Sequence, residues 1–264
     1  MIPRILTIAG SDSSGGAGIQ ADIKTITMLG GYAMSAITSV TAQDTRGVHG
    51  ALHLPGAFVL EQMTACIEDI GVDAIKIGML GSEDIVRHVA QGLDQAPGVP
   101  LVLDPVMVAT SGGHLADSPT IAAMVELLFG RATLITPNIP ELQVLSHSDL
   151  TTAGALREAS AVLAARHGCH ILIKGGHSDE GTVVDILTAP DGTSLPFEAS
   201  RIVTRHTHGT GCTLASGIAT MLGRGLELPE AVDRARGFVR SALRAAPGFG
   251  QGSGPLGHGQ ARNV

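Results

Sequence analysis

The sequence predicts an α/β fold, with a central, mostly parallel sheet flanked by helices. Three observations carry that prediction. Short apolar runs alternate with stretches of helical period along the chain. Polar residues of chemical interest gather where the predicted strands end, the edge at which open α/β sheets bind ligands. The length, 264 residues, suits one large sheet with a sizeable core, so 1–264 reads as a single domain with a glycine-rich, partly flexible tail from about 248.

Taken in order, "RILTIA" at 4–9 is a strand, and a polar glycine loop leads to a helix over 17–29. A strand follows at 35–42, then a helix over 55–70 with Phe58, Met63, Ile67 and Ile70 at core spacing. "DAIKIG" at 73–78 is a strand, and a helix starts from Ser82. "PLVLD" ends at Asp104, and Ser118 and Pro119 read as the N-cap and first residue of a helix to Phe129. "TLITPN" at 133–138 is a strand, and a helix over 152–167 stops at Gly168. A strand covers 169–176, two runs around "PDG" form a hairpin, and helices over 211–223 and 229–245 close the chain.

Composition narrows the function. The net charge is −7 with no basic stripe, which argues against a nucleic-acid surface. No apolar stretch is long enough for a membrane span. Cys66, Cys169 and Cys212 show no CxxC spacing, so a disulfide framework or structural zinc is not expected and a reduced, cytoplasmic setting is. Of 17 basic residues only Lys24, Lys76 and Lys174 are lysines, which is either compositional bias or a sign that a compact ammonium is needed at particular places.

"GAGIQA" at 16–21 matches G-x-G-x-x-[GA], but Gly10 to Gly15 separate it from the strand, which disfavours a dinucleotide-binding oxidoreductase. No lysine follows a glycine, so there is no P-loop. Asp104 at a strand end suits a hard cation such as Mg²⁺, or simply a turn. Asn138 and Glu141 stand three apart at a helix start, the spacing of a capping box and equally of a carboxylate beside metal-bound water. Lys174 precedes two glycines and can reach a phosphate, or serve as a surface lysine before a turn. "THGTGCTLAS" places Gly209, Thr210, Gly211 and Cys212 where backbone N–H groups and a helix N-terminus converge, a cradle for a phosphoryl group in flight. An ordinary glycine turn is the weaker alternative.

In order, "AGSDSSGGAGIQADIKT", "SAITSVTAQDTRGV", "VDAIKIGMLGS", "LDPVMVATSG", "TPNIPE", "IKGGH" and "THGTGCTLASGIA" resemble the hydroxymethylpyrimidine and phosphomethylpyrimidine kinases of thiamine biosynthesis, over about residues 5–258. The resemblance implies a three-layer ribokinase-like fold with a small lid. It implies Mg²⁺ and ATP as co-substrate, transfer to a hydroxymethylpyrimidine and then to its monophosphate, and a homodimer. By the same likeness Gln43, Ala17, Asp22, Met79 and Val106 face the pyrimidine. Lys174, Asn138, Thr136 and Thr210 meet ATP, and Asp104 and Glu141 serve the metal. "TAQDTRG" departs from the family in the lid, with Asp44 and Arg46 where less charged residues are usual. Related pyridoxal kinases are the alternative within kinases, and a non-catalytic sensor is the alternative outside enzymes.

Many ribokinase-like sugar kinases carry an aspartate base at the position of Cys212. Three accounts of the thiol stay open: a thiolate base lowered by the helix N-terminus, a reaction that needs no strong base, or a group that keeps negative charge away from a phosphorylated second substrate.

Overall fold

The computed structural model describes residues 1–107, 115–176 and 181–261. Nine strands form one sheet in the order β3-β2-β1-β4-β5-β6-β7-β8-β9. Strands β1 (Arg4–Asp12), β2 (Tyr32–Gln43), β4 (Ala74–Ile77), β5 (Leu101–Leu103), β6 (Leu134–Ile135) and β7 (His170–Ile173) run parallel. Strands β3 (Val48–His53), β8 (Thr182–Thr188) and β9 (Ser194–Ser200) pair antiparallel at the two edges.

Strand side chains alternate between two apolar layers, as a period of two requires. Leu6, Ile8, Ile75, Ile77, Leu101 and Leu103 pack on one face under α2 (Gly56–Asp69), α3 (Glu83–Leu93), α4 (Ser118–Leu127) and α6 (Ala153–His167). Ile5, Ala74, Val102 and Leu134 pack on the other under α1 (Gly18–Met28), α7 (Thr210–Gly223) and α8 (Leu228–Arg244). Both faces are covered, which is why the inner strands read as nearly continuous apolar runs. Among the described residues no helix is long and apolar enough to cross a membrane.

Several local expectations shift. The lid strand β3 was not expected, because its residues are nearly all exposed and carry no apolar alternation. Asp117 caps α4, its side chain accepting from Thr120 N, while Ser118 and Pro119 sit inside the first turn. Phe58 lies on the solvent side of α2 at 50% exposure, whereas Met63 is fully buried. The strands expected at 133–138 and 169–176 shorten to two and four residues, because the backbone leaves the ladder where it enters the ligand edge. Helix α6 ends as expected, with Gly168 in the left-handed region at φ 66°.

The tail is packed over residues 254–258, while Gly248 to Gln251 are exposed. Leu256, His258 and Ala261 are buried, Gly257 N donates to Ala242 O, and His258 Nε2 lies 2.8 Å from Thr213 Oγ1 on α7. Glycine content misleads here because these glycines serve close backbone approach. Burial pushes the His258 imidazole down to about 4. A folded-state value below the unfolded one means stability is present above about 6.5 and is lost as pH falls toward about 4. The wild type is therefore expected to lose up to about 3 kcal/mol more than His258→Gln across that window. Urea unfolding of both at pH 7 and pH 4.5 checks this, and parallel losses would rule out His258 as the proton-linked contact.

Candidate active site

The parallel strands deliver their carboxyl ends to one edge. Asp12 closes β1, Gly78 and Met79 follow β4, Asp104 follows β5, Thr136 to Asn138 follow β6, and Lys174 follows β7. Strand order reverses around β1, which opens a crevice there. Against this edge stands the N-terminus of α7. Between them lies a cavity of about 720 Å³.

Ala17, Gln43, Met79 and Val106 line one end of the cavity, and Asp104, Asn138, Glu141, Lys174 and the 209–212 turn line its middle. Every sequence-predicted site residue thus borders one space except Asp22 and Thr136. Residues 108–112 of the "LDPVMVATSG" motif and His177 lie outside the described residues.

The 209–212 turn is built by close approach. Gly209 has φ 87°, and a Cβ there would sit 1.9 Å from Gly16 O, so only glycine lets α7 start against the first loop. Thr213 N and Oγ1 both return to Gly209 O. Thr210 N donates to Thr207 O, which withdraws one of the four N–H groups expected to converge. Gly211 and Cys212 stand in the first turn, where helix geometry provides no carbonyl acceptor. The Gly18 N–H reaches the Cys212 sulfur, and burial pushes the thiol up to about 11. That desolvation acts against the lowering expected of a helix N-terminus.

Charges in the middle of the site are paired. Lys174 Nζ lies 2.6 Å from Asp104 Oδ1 and 3.7 Å from Glu141 Oε2. Burial works against the Lys174 ammonium, but Asp104 and Glu141 outweigh it and hold its pKa above the usual lysine value. Asn138 and Glu141 do form a capping box at α5 (Ile139–Ser146), with both reciprocal bonds at 2.8 Å. Burial raises the Glu141 carboxyl, with Asp104 adding to the effect. Thr136, expected to meet ATP, is fully buried and donates to Asp104 Oδ1 at 2.9 Å, so it orients the carboxylate from behind.

Asp22, expected at the pyrimidine, also lies behind the wall. It is fully buried and accepts from Lys76 Nζ at 2.8 Å and Thr7 Oγ1 at 2.6 Å. The cause is register: Thr7 and Lys76 are Cα partners on β1 and β4, and both face α1, which carries Asp22. Lys76 forms part of the cavity wall.

The sequence reading missed three further groups. Asp12 accepts from Ser14 N, Ser14 Oγ, Ala17 N and Gly16 N, and from His208 Nε2 at 2.8 Å. Burial favours its neutral form, but His208, Ser14 and Ala17 outweigh this and hold it below the usual carboxylate range. A turn-forming Asp before two serines and a His before the glycine turn were available signals. The lysine inside "AIKI" was another. The far end of the cavity, lined by Val183, Ile202, Val239 and Leu243, had no signal, because apolar residues on a hairpin and a helix read as core.

The family model for phosphomethylpyrimidine kinase matches residues 12–257, a span that begins at Asp12 and includes all of these groups. The chain belongs to the phosphomethylpyrimidine kinase family. It is 46% identical over 255 residues to the thiamine biosynthesis bifunctional protein of Geobacter sulfurreducens, covering 96% of this chain and 52% of that protein. The chain therefore spans about half the length of such bifunctional relatives. It is 40% identical to the hydroxymethylpyrimidine/phosphomethylpyrimidine kinase of Bacillus subtilis, covering 97% of this chain and 95% of that enzyme. The pyridoxal kinase from Staphylococcus aureus, solved in complex with AMP-PCP and pyridoxal, superposes with a TM-score of 0.89 at 33% identity, covering 98% and 94% of the two chains. The fold is ribokinase-like, as expected.

For this kinase fold the buried pair is a stability element. Lys76→Met leaves Asp22 buried and unpaired, and is expected to cost about 3–5 kcal/mol. Lys76→Met combined with Asp22→Leu is expected to recover most of that loss. Denaturant unfolding of both variants decides it, and equal losses would show that the pair is not the cause.

Proposed function

We propose that this chain transfers the γ-phosphoryl group of ATP to the 5-hydroxymethyl oxygen of 4-amino-5-hydroxymethyl-2-methylpyrimidine, and then a second one to the monophosphate, in thiamine diphosphate biosynthesis. One observation carries the reading: a single cavity joins Gln43 to the 209–212 turn and to Lys174. An aminopyrimidine edge offers a donor and an acceptor, as the Gln43 amide does. Its Oε1 accepts from Thr41 Oγ1, and its Nε2 lies 3.4 Å from a His208 nitrogen already bound to Asp12. That amide nitrogen lacks a good protein acceptor and is available to a ligand. Ala17, Met79 and Val106 supply apolar contact beside it.

In the transfer, a bond forms between the hydroxymethyl oxygen and the γ-phosphorus as the bond to the ADP oxygen breaks, and the hydroxyl proton leaves late, to water or a phosphate oxygen. The amides of Gly211 and Cys212 stabilise the charge on the moving group, and Lys174 meets the phosphates. Thr210, within this turn, lines the cavity, and Asn138 fixes Glu141 through the capping box. Asp104 and Glu141 present oxygen donors to one space in which a cation, Lys174, is already stabilised, and such donors fit Mg²⁺. Bound there, Mg²⁺ would neutralise phosphate charge. Among the described residues no three His, Cys, Asp or Glu side chains group as a metal site, so the remaining ligands would be water and phosphate oxygen.

A neutral thiol at Cys212 supports transfer without a strong base. Cys212→Ala is expected to keep measurable first-step activity, with a pH profile that superimposes on the wild type from about pH 7 to 9. Complete loss of turnover in a folded Cys212→Ala would sink this account. Cys212→Asp is expected to depress the second phosphorylation more than the first, read by product analysis of mono- and diphosphate. Pyridoxal phosphorylation is the second reading, favoured by the likeness to the pyridoxal-bound Staphylococcus kinase. Coupled assays with both rings separate the two. A cytoplasmic homodimer completes the proposal, supported by three free cysteines and by exposed Val40 and Leu52, cross-strand partners in the lid.

A further inference from the structure

Residues 250–258 touch the lid, the first loop, the 209–212 region and α8 in succession. Gln251 N and Gly252 N both donate to Thr45 Oγ1, at 3.2 and 3.1 Å. Thr45 stands in the turn between β2 and β3, two residues beyond Gln43. Gly254 O accepts from His208 N, and Pro255 forms a bridge with His208 beside Gly16. Gly257 and His258 then fasten to α8 and α7.

The turn that meets this segment is prebuilt. Asp44 Oδ1 accepts from Arg46 N at 2.8 Å and Gly47 N at 3.1 Å, while Oδ2 pairs with Arg46 and His49. Asp44 and Arg46 therefore shape the turn that presents Thr45. Contact with the glycines is close: a Cβ on Gly252 would lie 2.1 Å from Thr45 O, and one on Gly250 would lie 2.3 Å from Thr45 Cγ2.

Among the described residues, little else packs on the outer side of this hairpin. Strand β3 is exposed almost throughout, and Ser13 Oγ secures only the Gln43 backbone. We propose that residues 250–258 are a strap that sets the lid turn against the phosphoryl-transfer turn, and that Thr45 and Gly252 are positioning residues for the ring end of the substrate. The inference rests on Gln43 facing the ring. It assigns the close of the sequence a part in substrate placement, through two hydrogen bonds and a backbone contact that admits no side chain.

The test compares Gly252→Ala, which forces Thr45 away, with Thr45→Val, which keeps the shape and removes the acceptor. Gly130→Ala is the control, since a Cβ there meets nothing within 4 Å. Hydrogen exchange in the ligand-free protein is expected to quicken about tenfold across residues 44–50 in both variants. KM for the ring substrate that the wild type turns over is expected to rise about tenfold, with KM for ATP within about twofold. Thr45→Val keeps the test alive if Gly252→Ala does not fold. Unchanged lid exchange overturns the proposal. So does faster exchange with ring and ATP KM unmoved or moved equally. Wild-type turnover of the pyrimidine tests the functional reading alone, and exchange without ligand tests the strap alone.

Discussion

The Asp12 carboxylate joins the first loop of this chain to the turn that opens α7. It gathers the N–H groups of the first loop and also binds His208, 196 residues away, on the turn that opens α7. Both halves of the site depend on that knot. The first loop gives α7 its seat at Gly209, and the Gly18 N–H its line to the Cys212 sulfur. A buried carboxylate is costly to desolvate unless its lone pairs are filled. Here they are filled by the loop and the helix turn that must meet for the cavity to exist, so satisfying the charge and assembling the site are one event.

The three lysines obey the same logic. Lys76 pairs with Asp22, Lys174 with Asp104 and Glu141, and Lys24 donates to Gly15 O at 2.7 Å. All three therefore bind the wall of the site or the loop that shapes it. Arginine serves where a planar fork can also reach backbone carbonyls, as in the Arg236–Asp185 pair, which lines the same cavity, and in the Arg4–Asp73 pair. The scarcity of lysine thus corresponds to a physical role at each position.

How much of this the sequence carried follows from the range of the forces involved. The parallel sheet, its ligand edge and the 209–212 turn were legible, because period, glycine placement and strand ends are local signals. Asp22 and Thr136 were assigned to the cavity but stand behind it. Sequence proximity to a motif does not say which face of an element a side chain takes, and here the register of β1 with β4 decided it. The packed stretch 254–258 was hidden in the sequence for a related reason. Glycine marks flexibility only when nothing packs against it, and the partners at Thr45, His208 and Ala242 are far away along the chain. His208 carried a readable clue that only its distant partner Asp12 makes meaningful.

Charge at the phosphoryl end gives the thiol its physical sense. Lys76 and Asp22 pair behind the wall, while Lys174 faces the two carboxylates of Asp104 and Glu141. A third carboxylate at position 212 would add negative charge in a poorly solvated place. Two like charges about 4 Å apart at an effective dielectric of 20 repel by about 4 kcal/mol. A substrate that carries only a hydroxymethyl group is nearly indifferent to that cost. Under the proposed second step, the phosphate on the substrate adds a charge that such a carboxylate repels. Under the proposed two-step reaction, the sulfur, with an N–H donor from Gly18, leaves that charge out of the cavity.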